Sequence, residues 1–167
     1  MEIRADPEIA KWLGSPEPWR DEDQARTEIN VWTARLESPD VVGTWAIVPT
    51  GDDPLAGRPV GSVSLSRIRM GEETEIGWYL HPEATGRGWA GDAASAVLLH
   101  ALSAGVPRVW ALMWRDNEPS ARVARAIGMR ELGVLVDPWY GSEQDAYSRM
   151  FVARPDTHPH AIGDAHS

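Results

Sequence analysis

The sequence predicts an α/β (α+β) fold in which a mixed, mostly antiparallel central sheet is flanked by helices. Three strand-like runs, VVGTWAIV, PVGSVSLSRI and ETEIGWYL, follow one another along the chain. The connections between them are too short for a crossover helix, so the three strands should be antiparallel neighbours. Helix-like and strand-like segments alternate after them, which adds helices to the sheet. With 167 residues, the chain is long enough for a single hydrophobic core.

Two helices are expected before the first strand. Asp6 followed by Pro7 is typical of a helix start, and this short helix should end at Gly14. Asp21 and Gln24 form a capping box at the start of a longer helix. The apolar positions of the longer helix recur at helical spacing: Ala25, Ile29, Trp32 and Leu36.

The second half of the chain alternates between helix and strand. Gly105 and Gly128 follow helix-like runs and are expected to end them. The predicted elements are a helix over 88–103, the strand RVWALMW, a helix over 117–127 and two strands over 130–136 and 145–152. The folded domain should therefore occupy residues 1–153, and the tail over 154–167 should be disordered. Three histidines in that tail are better explained by chance than by a metal site: His158, His160 and His166.

Composition and charge exclude several classes of protein. The net charge is −9 and no basic stripe is visible, which argues against nucleic-acid binding. No run of about 18 apolar residues is present, so no membrane span is expected. The first residues lack the apolar core of a secretory signal. The chain contains no cysteine, which excludes disulfides, thiolate metal sites and a cysteine nucleophile. A cytoplasmic protein without a metal ion is expected.

The motif GRGWAG (residues 86–91) reads as G-x-G-x-x-G, follows the run TEIGWYL and opens a helix. A dinucleotide-binding turn would require a buried parallel strand directly before the glycines. Here HPEAT intervenes and the strand alternates in polarity, although Asp116 stands where a ribose-binding acid is needed. A phosphate cradle fits better, because Gly86 and Gly88 allow close approach to helix N–H groups and Arg87 adds a charge. From the loop alone, a tight turn that binds no ligand is an equally good interpretation.

A second segment decides between these interpretations. RDNEPSARVARAIGMR carries Asn117, Ser120 and Gly128 as an N-x-x-S…G signature. Taken with TWAIVPTGDDPLAGRPVGSVSLSRI and EIGWYLHPEATGRGWAGDAASAVLLHAL, it resembles the GNAT family of acetyl-CoA-dependent N-acetyltransferases. Within that family the sequence is most similar to the RimJ/RimL-like branch, which acetylates ribosomal-protein N-termini. The resemblance covers residues 6–152, and the two later stretches at this separation make it specific.

The sequence departs from the family pattern at two places. Gly88 and Ala90 match the family loop Q/R-x-x-G-x-G/A, but Thr85 stands where Gln or Arg is usual. One side-chain contact should therefore be weaker, while the backbone cradle is kept. The family's first strand is expected to be missing, because Met1 precedes the segment DPEIAKWL by only a few residues. Either the start codon is miscalled or the sheet lacks an edge strand.

The resemblance implies that acetyl-CoA is the acetyl donor and that acetyl passes directly to a primary amine, without a covalent enzyme intermediate. Backbone groups near Tyr79 and Leu80 would pair with the pantetheine amides as an added strand. Asn117 would contact the pantetheine arm, and a helix N-cap is its alternative or additional role. The residues expected to bind the cofactor are Trp78, Tyr79, Leu80, Thr85, Gly86, Arg87, Gly88, Trp89, Ala90, Asn117 and Ser120.

Catalysis needs a base for the amine and a hydrogen-bond donor for the leaving thiolate. Glu75 is the first candidate base, and an ordinary surface carboxylate is its alternative role. Ala124 stands where many family members carry a tyrosine donor, so the resemblance points to Ser120 instead, unless its hydroxyl bonds its own helix backbone. Weaker candidates are Glu73, Glu143 and Asp145 as base and Tyr140 and Tyr147 as donor.

The sequence does not specify the acceptor amine. The loops GSPEPWRDED and DPWYGSEQ combine tryptophan with acids. Trp19, Trp139 and Tyr140 would wall an acceptor pocket, unless they anchor these loops on the core. The sequence is compatible with a peptide N-terminus and with a small-molecule amine as the acceptor. It is also compatible with a monomer and with a homodimer. A non-catalytic acetyl-CoA-binding module is the alternative function, and it would not depend on Glu75 or Ser120.

Overall fold

The computed structural model describes residues 21–36, 41–68, 73–136 and 147–157. Some predicted features lie outside these residues and stay predictions. They are the first short helix, the missing first strand, the disordered tail from residue 158 with its histidines, and the loop residues Trp19, Trp139, Tyr140, Glu143 and Asp145.

Three α-helices and six β-strands make up the described part of the chain. The helices are α1 (Glu22–Leu36), α2 (Trp89–Ser103) and α3 (Glu118–Ala126). The strands are β1 (Gly43–Ile47), β2 (Gly61–Arg67), β3 (Thr74–Leu80), β4 (Val109–Trp114), β5 (Arg130–Val136) and β6 (Tyr147–Ala153). Short 3₁₀ turns lie at Pro82–Ala84 and Pro155–Thr157. The predicted ends of the strands and of α2 and α3 agree within about two residues.

The six strands form one sheet in the order β1-β2-β3-β4-β6-β5. β1, β2 and β3 pair antiparallel, as their short connections predict. The β4–β6 and β5–β6 pairs are also antiparallel, whereas β3 and β4 are parallel and joined through α2. The predicted mixed, mostly antiparallel sheet is confirmed. Antiparallel strands before the glycine loop are incompatible with the doubly wound sheet of a dinucleotide-binding fold.

β3 and β4 separate after a short parallel contact, which is limited to the first two residues of each strand. A clamp holds this closed end. The Glu73 carboxylate accepts hydrogen bonds from the Arg108 guanidinium and, at 2.8 Å, from Trp110 Nε1. Within the described ranges, no strand pairs with the β4-facing edge of residues 76–80. A wedge-shaped gap therefore opens toward the carboxyl ends of β3 and β4.

The main core lies between one face of the sheet and helices α2 and α3. Ile76 of β3, Val109 of β4 and Phe151 of β6 are fully buried there. Small side chains let the helices approach the sheet closely: Ala94 and Ala101 of α2 and Ala121 and Ala124 of α3. Because α2 and α3 are packed in this way, their N-termini are held in fixed positions relative to the sheet.

Helix α1 lies on the other face. The Asp21 Oδ1 atom accepts a hydrogen bond of 2.8 Å from the Gln24 N–H, which is the N-cap half of the predicted capping box. Trp32 faces hydroxyl-bearing residues of β1 and β2 across a cavity. None of the helices described here is long and apolar enough to cross a membrane.

Candidate active site

The edge of β3 that borders the gap carries backbone groups that pair with no described residue. The Ile68 N–H donates to the Glu73 carbonyl, and the His81 N–H donates to the Val60 carbonyl. The direction of the backbone N–H and C=O groups alternates along a strand. Between these two bonds, those of the odd-numbered residues of β3 therefore face β2. The N–H and C=O of Trp78 and Leu80 therefore face the gap. An extended, amide-bearing chain could pair with this edge as an added strand.

The glycine loop leaves the N-terminus of α2 uncapped. Gly88 is the N-cap residue with φ of 83°, and no side chain caps the helix. The first bond is from the Asp92 N–H to the Gly88 carbonyl, so the first-turn N–H groups of Trp89, Ala90 and Gly91 find no acceptor in the described part of the chain. A Cβ at Gly86 or Gly88 would meet no atom within 4 Å. This arrangement is an open cradle for an anion.

Arg87 is held at the side of this cradle. Its guanidinium lies 2.6 Å from Asp53 Oδ2 and 5.2 Å above the Trp89 ring. Asp53 is itself fixed, because its Oδ1 accepts a hydrogen bond of 2.9 Å from the Leu55 N–H. The connection between β1 and β2 thus places Arg87 near the cradle. Sequence reasoning missed Asp53, which lies 34 residues before its partner.

The remaining loop and strand residues expected to bind the cofactor have mixed roles. The Thr85 hydroxyl donates to the Pro82 carbonyl at 2.8 Å, so it stabilises the preceding turn. Trp78 packs against the main core. Leu80 and Trp89 pack against a second cluster formed by Ile47, Val60 and Ala84. These apolar contacts fix the strand end and the loop to each other.

The N-terminus of α3 presents an amide and a hydroxyl. Asn117 is the N-cap, and its Oδ1 accepts a hydrogen bond of 3.2 Å from the Ser120 N–H. Asn117 is 7% exposed, and its Nδ2 donates to no residue of the described part. The half-buried Ser120 hydroxyl also bonds no described backbone group. Ala124 is fully buried in the core, so this position supplies no donor.

The candidate bases differ in their surroundings. Glu73 has both carboxylate oxygens hydrogen-bonded in the clamp with Arg108 and Trp110, so neither oxygen is left without a partner. Glu75 is half-buried and is paired in register with Ser66 on one side and Trp110 on the other. It lies where the gap between β3 and β4 begins. The Tyr147 side chain is outside the described set.

Two glutamates and two arginines form a closed ring that ties α3 to β5 and β6. Glu118, in the first turn of α3, accepts hydrogen bonds from Arg125 at 2.8 Å and from Arg149 at 2.7 Å. Glu131 of β5 accepts from Arg149 at 2.7 Å and from Arg125 at 2.9 Å. The Arg125 and Arg149 guanidiniums hold the pKa of Glu118 below its usual range, and Arg149 and Arg125 do the same for Glu131. The ring stabilises the helix end that carries Asn117 and Ser120.

The ring predicts a contribution to stability that depends on pH. A carboxyl whose pKa is lower in the folded than in the unfolded chain stabilises the fold above the unfolded value, 4.5 for glutamate. That contribution is lost as pH falls through the folded pKa. Glu118→Gln should therefore destabilise the protein at pH 7, and its difference from wild type should shrink below about pH 4.5.

Denaturant unfolding at several pH values between 7 and 3 measures this difference. Glu22→Gln is the matched control, because Glu22 also lies in the first turn of a helix but makes no ion pair with a described residue. Equal pH dependence in the two variants would contradict a stabilising role of the ring.

Metal binding finds no support in the residues that are described, since no three His, Asp or Glu side chains there are grouped to hold an ion. The structure instead brings together three features predicted separately: the glycine loop, the edge of β3 and the Asn117–Ser120 turn. The glycine loop follows the carboxyl end of β3 and the Asn117–Ser120 turn follows that of β4, so both border the end at which the gap opens. This arrangement suits a ligand with a pyrophosphate and an extended amide arm.

Known proteins share this fold. The ribosomal alpha-N-protein acetyltransferase RimL, in complex with coenzyme A, superposes with a TM-score of 0.71 and 18% identity, over 89% of this chain and 81% of that one. Spermidine N-acetyltransferase from Vibrio cholerae, in complex with CoA and spermine, superposes with a TM-score of 0.68 and 13% identity, over 93% and 88%. At these identities the likeness concerns the fold alone.

Comparison of the sequence with known proteins identifies the family. The uncharacterized N-acetyltransferase YnaD of Bacillus subtilis (strain 168) is 40% identical over 66 residues, which are 38% of this chain and 39% of that protein. The chain thus matches well under two thirds of the length of this relative. Residues 1–130 match the family model of the acetyltransferase (GNAT) domain. Because that match covers most of the chain and the sheet agrees with it, the chain belongs to the GNAT acetyltransferase family.

Proposed function

We propose that this protein is an acetyl-CoA-dependent N-acetyltransferase of the RimJ/RimL-like branch, which transfers acetyl directly to a primary amine. The observation that carries the proposal is the uncapped, glycine-lined N-terminus of α2 at the mouth of the gap between β3 and β4. The open edge of β3 and the cradle for phosphate are separated along the chain only by residues 81–85. Both features are formed by backbone groups, so neither depends on the identity of a single side chain.

The residues present fit coenzyme A. The first-turn N–H groups of α2 hold a pyrophosphate, and Arg87 adds a positive charge beside it. The backbones of Trp78 and Leu80 bind the amides of the pantetheine arm. The buried Asn117 has no acceptor for its Nδ2 in the described ranges, and the same arm would supply one. Acetyl-CoA, when bound, supplies the acetyl group as a thioester.

Two side chains are assigned to catalysis, one as the base for the acceptor and one as the hydrogen-bond donor to the leaving group. Glu75 takes a proton from the acceptor, directly or through water, so that a neutral amine nitrogen attacks the acetyl carbon. As the C–N bond formed and the C–S bond broke, the attacking nitrogen would lose a second proton, which ends on the departing sulfur as the CoA thiol. The Ser120 hydroxyl would donate a hydrogen bond to that sulfur while negative charge develops on it. The fixed N-terminus of α3 holds that hydroxyl in place.

The structural relatives support an amine acceptor. By their names, RimL acts on the alpha-amino group of a ribosomal protein and the Vibrio cholerae enzyme acts on spermidine. Both groups are amines, so they support the class of acceptor without choosing between peptide and polyamine. The N-x-x-S turn, with its Ser120 hydroxyl unbonded to the described backbone, supports the RimJ/RimL-like branch.

Titration calorimetry with acetyl-CoA, with NADH as the matched control, tests the cofactor. We expect saturable binding of acetyl-CoA with a Kd of about 1 μM to 1 mM, the usual range for enzyme substrates, and no binding of NADH. An assay of thiol release with a panel of primary amines then tests transfer. Failure to bind acetyl-CoA would refute the proposal. Binding without turnover of any amine would favour the non-catalytic module.

A further inference from the structure

The face of the sheet beneath α1 holds a cavity of about 170 Å³ that the mechanism above does not use. It lies between Trp32 of α1 and strands β1 to β3, and Tyr79 forms part of its wall. The volume is close to the roughly 150 Å³ that accommodates a benzene-sized guest in a protein interior. The cavity is therefore large enough for one small side chain of a ligand.

A row of hydroxyl groups lines this cavity. Ser62, Ser64 and Ser66 alternate along β2, so their side chains share one face, and Thr44 of β1 lies opposite Ser64. None of these four hydroxyls bonds to a residue in the described ranges. Ser62 is only 7% exposed. A buried hydroxyl without a partner costs free energy, so the Ser62 hydroxyl, which has no partner in the described ranges, favours a guest that can bond to it.

The row runs beside the candidate site. In the pairing of β2 with β3, Ser62 lies opposite Tyr79 and Ser66 lies opposite Glu75. Neighbouring strands are about 4.8 Å apart, so the hydroxyls are one strand spacing from the strand that borders the gap. A molecule seated on this row therefore lies on the face of the sheet that carries the Glu75 side chain. It is one strand away from β3, at whose far edge transfer is proposed.

The chemistry of the lining selects a class of guest. No charged side chain lines the cavity among the residues that the structure describes. Serine and threonine hydroxyls both donate and accept hydrogen bonds, which suits a neutral hydroxyl or amide group. A second ammonium group placed there would meet no counter-charge among the described lining residues. The carboxylate of Glu75, at one end of the row, can pair with one ammonium group of an acceptor.

We propose that this cavity binds a hydroxyl group of the acceptor, with Ser62 as a specificity-determining residue. The acceptors are then small monoamines that carry a hydroxyl group, and polyamines are disfavoured. This inference rests on the proposed function, and it adds the class of acceptor. Of the residues expected to bind the cofactor, only Tyr79 lines the cavity, and its backbone N–H and C=O face β2 and not the gap. Acceptor choice and CoA binding can therefore be measured separately.

The test compares serinamide, alaninamide and spermidine as acceptors for wild type and Ser62→Ala. Wild type should prefer serinamide, and spermidine should be the poorest acceptor. Ser62→Ala should lower kcat/KM for serinamide about 5- to 10-fold, with little effect on alaninamide, because the lost bond joins two hydroxyls. The Kd for CoA should not change, and the Tm should not fall, since the hydroxyl has no described partner. Ser95→Ala, on the exposed surface of α2, is the control.

A second variant narrows the cavity without removing a hydroxyl. A Cβ at Gly77 would lie 3.6 Å from Ser64 Oγ, an ordinary contact, so Gly77→Ala fits the free protein. It should lower kcat/KM for serinamide and leave the Kd for CoA unchanged. A preference of wild type for spermidine, or equal losses for serinamide and alaninamide in Ser62→Ala, would overturn the inference and leave the proposed function intact. Turnover of no amine by a protein that binds CoA would overturn both.

Discussion

Replacing Ser120 with alanine is expected to lower kcat by about 10²- to 10³-fold, the usual effect of removing a donor to a developing negative charge. The hydroxyl lies in the first turn of α3 and bonds no described backbone group, so it can donate to a leaving sulfur. The helix itself should persist, because the Asn117 cap bonds the Ser120 backbone N–H and not its side chain. Steady-state kinetics with saturating acetyl-CoA and the best amine of the panel measure the loss.

Two further measurements make the Ser120 prediction specific. The Kd for CoA should change little, because the phosphate cradle and the edge of β3 are untouched. Ser120→Thr, which keeps a hydroxyl, should recover part of kcat. An unchanged kcat in Ser120→Ala would exclude this hydroxyl as the donor. A parallel loss of kcat, CoA affinity and Tm would instead indicate a role in folding.

The order and type of the described elements could be predicted from the sequence because the local signals agree. Alternating strands with short connections specify antiparallel neighbours, and Gly105 and Gly128 mark helix ends. The glycine loop could be placed at a helix N-terminus for the same reason. Such signals act over a few residues, where backbone sterics and capping dominate.

The contacts that shape the site could not be predicted in this way. Asp53 reaches Arg87 across 34 residues, and the ring of Glu118, Arg125, Glu131 and Arg149 joins a helix to two strands. These pairings depend on which strands become neighbours, which no local pattern specifies. Serine alternates with other residues along β2, but only the position of α1 shows that these serines line a cavity.

Gly88→Ala is expected to weaken CoA binding about 10- to 100-fold, which corresponds to about 1.4–2.7 kcal/mol. Gly88 has φ of 83°, and in the structure its Cβ position meets no atom within 4 Å. The added methyl therefore costs the free protein only the strain of a left-handed backbone, about 1–2 kcal/mol. In the complex, the same methyl stands beside the first-turn N–H groups of α2, in the space that a phosphate must enter.

Gly105→Ala separates these two effects. Gly105 follows the other end of α2 with φ of 86°, and a Cβ there also meets no atom within 4 Å. Both variants should lose a similar free energy of unfolding, because the backbone strain is the same. Only Gly88→Ala should raise the Kd for CoA in titration calorimetry. Equal CoA affinities in the two variants would show that the glycine loop is a tight turn and not a phosphate cradle, and the cofactor site would have to be sought elsewhere.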